Sequence, residues 1–131
     1  MAGSFSDYLE DKVLKHVFTN TAYTAPSTLY VGLFTAAPTD AGGGTEVSGG
    51  SYARQSMAFT VSGSSPTQAA NTSAVEWPTA TASWGTIVAA AVFDASSSGN
   101  MLAWADLTNN KTISSGDVFR FPASSFVVTL A

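Results

Sequence analysis

The side chains that most often carry out catalysis are scarce and scattered in this sequence. It contains one histidine, His16, and no cysteine. A serine–histidine–aspartate triad would have to use His16, which lies in a predicted helix, and no Gly-x-Ser-x-Gly turn presents a nucleophilic serine. One histidine without cysteines also leaves too few ligands for a zinc site. The sequence therefore predicts no catalytic residue, no metal site and no cofactor.

The acidic residues beyond the N-terminal segment stand singly. None of them follows the Asp-x-Asp-x-Asp spacing of a calcium loop. We interpret them as turn formers, which is a common use of acids in loops. The fold could still bring two together as the carboxylate pair of a glycosidase, and the sequence leaves this alternative open. These residues are Asp40, Glu46, Glu76, Asp94, Asp106 and Asp117.

Segment 39–51 is rich in glycine, threonine and serine, and we predict that it is a long, flexible loop. Its glycines do not form a phosphate-binding loop, because no Lys-Ser or Lys-Thr pair follows them and no helix is predicted there. The segment contains Thr45 and Glu46 and leads to Tyr52 and Arg54. We expect Arg54 to form a structural ion pair or a hydrogen bond across an interface.

Three tryptophans could stack on sugars or bases. Trp77 and Trp104 fall in predicted strands, where packing in the core is the commoner use of tryptophan. Trp84 precedes Gly85 at the start of a predicted central strand, and we expect it at an exposed edge. Together with Tyr52, it would be the main aromatic surface of a carbohydrate-binding domain.

The composition favours a protein that is buried against neighbours. Charged residues make up 11% of the chain, compared with about 25% in an average soluble domain. A surface of small and neutral polar side chains loses little when it is buried, because few charges are desolvated. The alternative is an extracellular β domain with a neutral surface. The net charge is −4 and the basic residues form no run, so we expect neither nucleic acid nor a membrane as a partner.

The N-terminal segment predicts one amphipathic helix over residues 4–18. Asp11 and Lys15 are spaced for an i,i+4 ion pair, and Ser4 or Ser6 can cap the helix. The helix would cover one face of a sheet or dock on a neighbouring subunit, and both can hold. Its apolar stripe comprises Phe5, Leu9, Val13 and Val17.

Residues 28–131 predict an antiparallel β-sandwich or jelly-roll-like fold, so that residues 1–131 form a single, mainly β domain. Short apolar runs with turn signals between them are typical of such folds. The run 86–93 is continuously apolar and is predicted to be buried on both faces. We predict turns at 63–72, 94–100 and 108–111. The predicted strands are 29–34, 56–61, 74–77, 86–93, 101–107, 113–117, 118–121 and 126–130.

The chain contains the segments SFSDYLEDKVLKHVF, TLYVGLFTAAPTDAGGGTEVSGGSYARQ, EWPTATASWGTI, VFDASSSGNMLAWADL and KTISSGDVFRF. Together they resemble a family of small virion proteins of tailed bacteriophages, often labelled tail fibre proteins, and the resemblance covers nearly the whole chain. It implies a non-enzymatic structural protein on the outer surface of the virion, folded as a β-sandwich with an N-terminal helix. The N-terminus lacks the pattern of a signal peptide, so we expect synthesis in the host bacterial cytoplasm.

Length and composition favour one role within the virion. A fibre shaft needs length or repeats, and the sequence has neither. A capsid decoration (cement) protein needs a docking surface and usually cyclic symmetry. We therefore expect a decoration protein that binds the major capsid protein as a homo-oligomer, with a trimer favoured. The predicted interface residues are Phe5, Leu9, Val13, Val17, Thr45, Glu46, Tyr52, Arg54 and Trp84.

Two other functions remain as alternatives. One is a tail fibre or another tail-associated protein, which would contact a receptor or neighbouring tail proteins of the same virion. The other is a carbohydrate-binding domain that uses Trp84 and Tyr52. The number of copies per particle separates decoration from a tail position, because a capsid carries hundreds of copies and a tail only a few.

Overall fold

Eleven strands and one helix make up the computed structural model, which describes residues 2–130. Met1 and Ala131, which belong to the predicted domain, lie outside the described residues. The elements in chain order are β1 (Ala2–Phe5), α1 (Asp7–Phe18), β2 (Tyr30–Ala36), β3 (Thr45–Glu46), β4 (Gln55–Ser56), β5 (Phe59–Ser62), β6 (Thr67–Asn71), β7 (Val75–Glu76), β8 (Gly85–Phe93), β9 (Met101–Ile113), β10 (Arg120–Phe121) and β11 (Val127–Leu130).

Strand β1 joins two sheets into one path. The strand order is β3-β2-β8-β9-β1-β11-β6-β5, β4 also pairs with β2, and β7 and β10 form a separate ribbon. Ala2 and Gly3 pair in parallel with β11, whereas Ser4 and Phe5 pair antiparallel with β9. The other described pairs are antiparallel. The prediction of a mainly β, antiparallel fold with one N-terminal helix is confirmed, and the arrangement is sandwich-like.

The core lies on both faces of β8. Ala90 and Val92 point to the main core, whereas Ala89, Ala91 and Phe93 belong to a smaller cluster on the opposite face. Both neighbours of β8, β2 and β9, pair with it along most of its length. A strand buried on both faces must be apolar throughout, so the prediction is confirmed for residues 89–93, whereas Thr86 is exposed and Val88 is half-buried.

An aromatic cluster fills the main core. Trp77 packs edge-on against Phe119 with ring centroids 5.4 Å apart, and Phe121 lies 5.5 Å from Phe126 in the same geometry. Trp77 is 1% exposed, which confirms its predicted place in the core. Edge-to-face pairs of this kind add to the stabilisation that comes from burying the rings.

The helix begins at Asp7 and not at residue 4. Ser6 has extended backbone angles, and its hydroxyl accepts a hydrogen bond from Leu9 N–H at 3.2 Å. The serine is therefore the N-cap, as one of the two predicted options had it. Residues 4 and 5 were wrongly predicted as helix and lie in β1, because the pairing of β1 with two distant strands has no local sequence signal.

Two predicted turns belong to strands instead. Segment 63–72 contains β6, whose mostly polar or small side chains show no apolar alternation, yet the strand pairs with both β5 and β11. Segment 108–111 lies within β9. In the pairing of β8 with β9, Ala89 stands opposite Asp106 and Ile87 stands opposite Lys111. Residues 107–110 of β9 therefore have only Val88 opposite them. We call residues 107–110 the β9 bulge. Bulges of this kind bend a strand and redirect its side chains.

Several predicted boundaries were also wrong. Segment 113–117 is a turn after Ile113, where Ser114 N–H donates to the Asp117 carboxylate at 2.9 Å. Segment 118–121 shortens to β10, segment 56–61 divides between β4 and β5, and the predicted loop 39–51 contains β3. Short strands of two residues depend on their partners, and their own propensity does not define them.

Candidate assembly surface

The C-terminal half of α1 exposes apolar side chains. Leu14, Val17 and Phe18 are 56%, 64% and 77% exposed, and we call these three residues the α1 patch. They are spaced i, i+3 and i+4, so they lie on one face of the helix. No residue of α1 is fully buried, and its N-terminal half contacts the core through Tyr8 and Leu9. The helix thus covers the sheets with one end and presents apolar surface to solvent with the other.

The predicted apolar stripe therefore divides into three environments. Phe5 lies in β1 and not in the helix. Leu9 and Val13 are half-buried, and Val17 is exposed. Asp11 and Lys15 form the predicted i,i+4 ion pair at 3.0 Å on the helix surface. The apolar side chains form a continuous exposed surface only at the C-terminal end of the helix, where Leu14 and Phe18 lie beside Val17.

Three of the predicted interface residues form a polar cluster within the chain, which we call the Arg54 cluster: Glu46, Tyr52 and Arg54. Arg54 binds the Glu46 carboxylate with two hydrogen bonds, from Nε at 2.9 Å and from Nη2 at 2.8 Å. Tyr52 Oη donates to Glu46 Oε2 at 2.6 Å. The predicted structural ion pair is confirmed, and the Arg54 side chain is only 9% exposed.

Arg54 also anchors the hairpin between β8 and β9. Its Nη1 donates to the carbonyl oxygens of Ala95 at 3.0 Å and Ser98 at 2.8 Å. The guanidinium carbon lies 3.6 Å from the centre of the Phe93 ring, which is a cation–π contact. A planar guanidinium can serve a carboxylate, two carbonyls and a ring at once, and a lysine ammonium cannot.

The Arg54 cluster closes a gap in the sheet. β4 pairs with β2 at residues 30–31, and β3 pairs with it at residues 34–36. Leu33 lies between them with no exposed surface. Its N–H donates to Tyr52 Oη at 2.9 Å, and its carbonyl accepts from Val47 N–H at 2.9 Å. A buried backbone group without a partner is destabilising, and the tyrosine hydroxyl supplies that partner. Burial and the bond to Glu46 raise the pKa of Tyr52 well above its usual value.

Trp84 is buried, so its prediction at an exposed edge was wrong. Its side chain is 4% exposed, its Nε1 donates to the Gly50 carbonyl at 2.9 Å, and its ring packs edge-on against Tyr52. Gly50 has a φ of 59°, and a Cβ there would lie 2.8 Å from the indole nitrogen. Segment 39–51 thus folds over the indole, and Trp84 presents no open face for a sugar. Thr45, at the start of β3, is exposed.

A contact between the start of α1 and Asp40 was not predicted, because no local pattern indicates it. Trp104 Nε1 donates to Asp40 Oδ1 at 2.8 Å, and Asp7 N–H donates to the Asp40 carbonyl at 2.8 Å. The carboxylates of Asp7, Glu10 and Asp40 lie within 4.8 Å of one another. Carboxylates near a helix N-terminus are stabilised by its dipole, so the helix accounts for this cluster without a bound ion.

His16 lies on the exposed surface of α1. Within residues 2–130 it makes no hydrogen bond to a serine or an acid, so no triad is assembled around it. No helix in the described part of the chain is long and apolar enough to cross a membrane.

The relationship to known proteins agrees with the predicted resemblance. The model of the family described as "Podophage GP4 fiber I protein gp80" matches residues 4–129. None of the curated proteins matches the chain. The match extends from β1 into β11 and includes the helix, both sheets and the Arg54 cluster. The chain therefore belongs to the gp80 family of podophage fiber I proteins and is a structural protein of the phage virion.

Proposed function

We propose that this chain is a non-enzymatic subunit that attaches to another protein of the same virion through the α1 patch. The observation that carries the proposal is the exposure of Leu14, Val17 and Phe18 at the end of a helix whose other end is anchored to the sheets. Contiguous apolar surface of this kind marks interaction sites. The Arg54 cluster serves the fold itself, because its hydrogen bonds are made within the chain.

The area of the α1 patch implies a modest attachment per copy. Burying three partly exposed side chains of this size contributes on the order of 3 kcal/mol. Such a contact is sufficient when each oligomer presents several copies at once, because linked contacts bind far more tightly than one contact alone. A modest contact per copy therefore favours a homo-oligomer over a monomer, and we propose a trimer.

Our first proposal for the position in the particle is capsid decoration on the outer surface, with the major capsid protein as the partner. It is supported by a fold without shaft-like repeats and by the low charge of the surface, which reduces the cost of burial. Binding that is specific to the assembled shell would stabilise it by mass action. The chain would be synthesised in the host bacterial cytoplasm and join the particle there.

The second candidate is a tail fibre or tail-associated position, with tail proteins as partners. It is supported by the printed name of the family, which describes a fiber protein. In this position α1 would attach the domain to a larger tail protein, since the domain has no shaft of its own.

Cryo-electron microscopy of intact virions, together with quantitative mass spectrometry, tests both positions. Hundreds of copies on the head would support decoration, and a few copies at the tail would refute it and support the second candidate. In either case α1 should face the neighbouring protein. Density that shows α1 pointing to solvent would contradict the proposed attachment.

A matched pair of variants tests the attachment itself. Val17→Asp should abolish incorporation into particles while leaving the subunit folded, because Val17 is 64% exposed. Val61→Asp is the control, since Val61 is 68% exposed but lies in β5, outside the α1 patch. Equal incorporation of both variants would overturn the proposal, and a change in thermal unfolding would show any effect on the fold.

A further inference from the structure

A cavity of about 440 Å³ lies beside the β9 bulge. Its walls come from the bulge and the end of β9 on one side and from segment 119–127 on the other. The volume is within the range of small-molecule sites, which is roughly 300–1,000 Å³. Bulges are over-represented next to binding sites because they redirect side chains out of the ladder. Here the bulge brings Thr108 and Asn109 to the cavity wall.

The cavity collects the basic side chains that the fold does not use. The chain has five lysines and arginines. Lys15 and Arg54 are in ion pairs, and Lys12 lies 5.5 Å from the centre of the Tyr8 ring. The other two, Lys111 and Arg120, both line this cavity. Neither makes an ion pair with any residue in the range 2–130, although the protein as a whole is acidic.

The acid that stands opposite Arg120 in the sheet lies outside the cavity wall. Glu76 stands opposite Arg120 in the β7–β10 ribbon, but the two form no ion pair and Glu76 does not line the cavity. Two cations at one cavity repel each other unless an anion lies between them. Hydrogen bonds from lysine and arginine to a carboxylate or phosphate are among the strongest in proteins. The cavity is therefore suited to an anionic group.

The rest of the lining is suited to a hydroxylated ring. Thr108 and Asn109 carry a hydroxyl and an amide that form no hydrogen bond to the described residues, so both can bind a ligand. The half-buried Leu107 supplies apolar surface beside them, whereas Phe119 and Phe121 border the cavity but are themselves buried in the core. A few polar groups on an apolar wall are the usual composition of a small-molecule site. A sugar ring has matching parts, with hydroxyls at its edge and C–H groups on its faces.

We propose that this cavity binds an acidic sugar, with Lys111 and Arg120 on its carboxylate or phosphate and Thr108 and Asn109 on its hydroxyls. This site is separate from the aromatic surface first expected for sugars, because Trp84 is buried. It also does not depend on the α1 patch, so it stands whichever position the chain has in the virion.

Nuclear magnetic resonance titration of the whole ¹⁵N-labelled chain tests the proposal. The probes are a hexuronic acid, a hexose phosphate, the parent neutral hexose and inorganic phosphate. We expect both acidic sugars to shift the backbone amide signals of Asn109, Lys111 and Arg120. The neutral hexose and inorganic phosphate should each bind about tenfold more weakly, since each lacks one half of the interaction.

Substitutions then assign the binding to the cavity. Lys111→Gln and Arg120→Gln should each weaken binding of the acidic sugars by about tenfold, the usual effect of losing a charge-assisted hydrogen bond. Both residues are exposed, so the fold should be unaffected. Lys15→Gln, on α1, is the matched control and should bind as the wild type does.

Three results would overturn the proposal. The first is the absence of shifts at these amides with either acidic sugar. The second is equal binding of inorganic phosphate and the acidic sugars, which would show that only an anion is recognised. The third is unchanged binding by both cavity variants, which would place the site elsewhere.

Discussion

Replacing Tyr52 with phenylalanine removes one hydroxyl and leaves the ring in place. That hydroxyl accepts a hydrogen bond from Leu33 N–H at 2.9 Å and donates one to Glu46 at 2.6 Å. The ring keeps its edge-on contact with Trp84, so the substitution creates no cavity. The change in the free energy of unfolding therefore reports the two hydrogen bonds alone.

The expected loss is about 2–4 kcal/mol. Leaving the buried Leu33 N–H without a partner costs about 1–3 kcal/mol, and losing a hydrogen bond to a carboxylate costs a similar amount. The expected loss is smaller than the sum of these two costs because the Glu46 carboxylate keeps both hydrogen bonds from Arg54. For a chain of this size the loss corresponds to a decrease in the melting temperature of roughly 8–16 °C.

Urea and thermal unfolding of the wild type and Tyr52→Phe measure this loss. Tyr30→Phe is the matched control, because Tyr30 is a half-buried tyrosine of β2 whose hydroxyl makes no hydrogen bond to a described residue. We expect the control to change the free energy of unfolding by less than about 0.5 kcal/mol. A loss equally small in Tyr52→Phe would refute the conclusion that the tyrosine closes the gap between β3 and β4.

Two further predictions concern the same cluster. The first follows from the raised pKa of Tyr52. The unfolded chain releases the phenol proton near its ordinary pKa of 10.0, while the folded chain retains it. This group should therefore not affect the free energy of unfolding below pH 10, and above pH 10 it should lower that free energy by up to about 1.4 kcal/mol per pH unit. Unfolding measured from pH 9 to 11.5 should show a shallower decrease in Tyr52→Phe, and equal slopes would contradict this account. The second prediction is that Gly32→Ala should destabilise the fold by about 1–3 kcal/mol, because a Cβ there would lie 2.6 Å from Glu46 Oε2. Unchanged urea unfolding would show that Glu46 can move away without a loss of stability.

The sequence predicted the elements whose own residues determine them. The apolar run of β8 requires burial, and the capping serine of α1 together with the helical spacing of Leu9, Val13 and Val17 specifies a helix. The missed strands β1 and β6 lack such a pattern. β6 is held by its partners and by Asn71, whose amide donates to the Pro122 carbonyl at 2.9 Å and accepts from Phe126 N–H at 2.8 Å. The pairs of β6 with β11, and of β1 with β9 and β11, join residues more than fifty positions apart and have no local signal, and the local hairpin of β6 with β5 lacks the apolar alternation that would have predicted it.

The candidate assembly surface could likewise be predicted only where the local sequence determines it. The apolar residues of α1 follow from helical periodicity, but which of them face solvent depends on where β1 places the helix. Trp84 illustrates the opposite case, since its burial follows from a glycine-rich segment that folds over it. Small residues allow such an approach, yet composition alone describes the same segment as an open loop. Lys111 and Arg120 lie nine positions apart and share a cavity only through the β9 bulge.

The pairing of β1 also orders events during synthesis. Its residues pair with strand β9 at 103–104 and with strand β11 at 127–128, so β1 cannot complete its pairing until β11 has been made. Contacts between distant parts of a chain form slowly because a long loop must close first. The two sheets can be joined only after β11 has emerged from the ribosome. A subunit that lacks β11 would then lack the joined sheets against which Tyr8 and Leu9 of α1 pack.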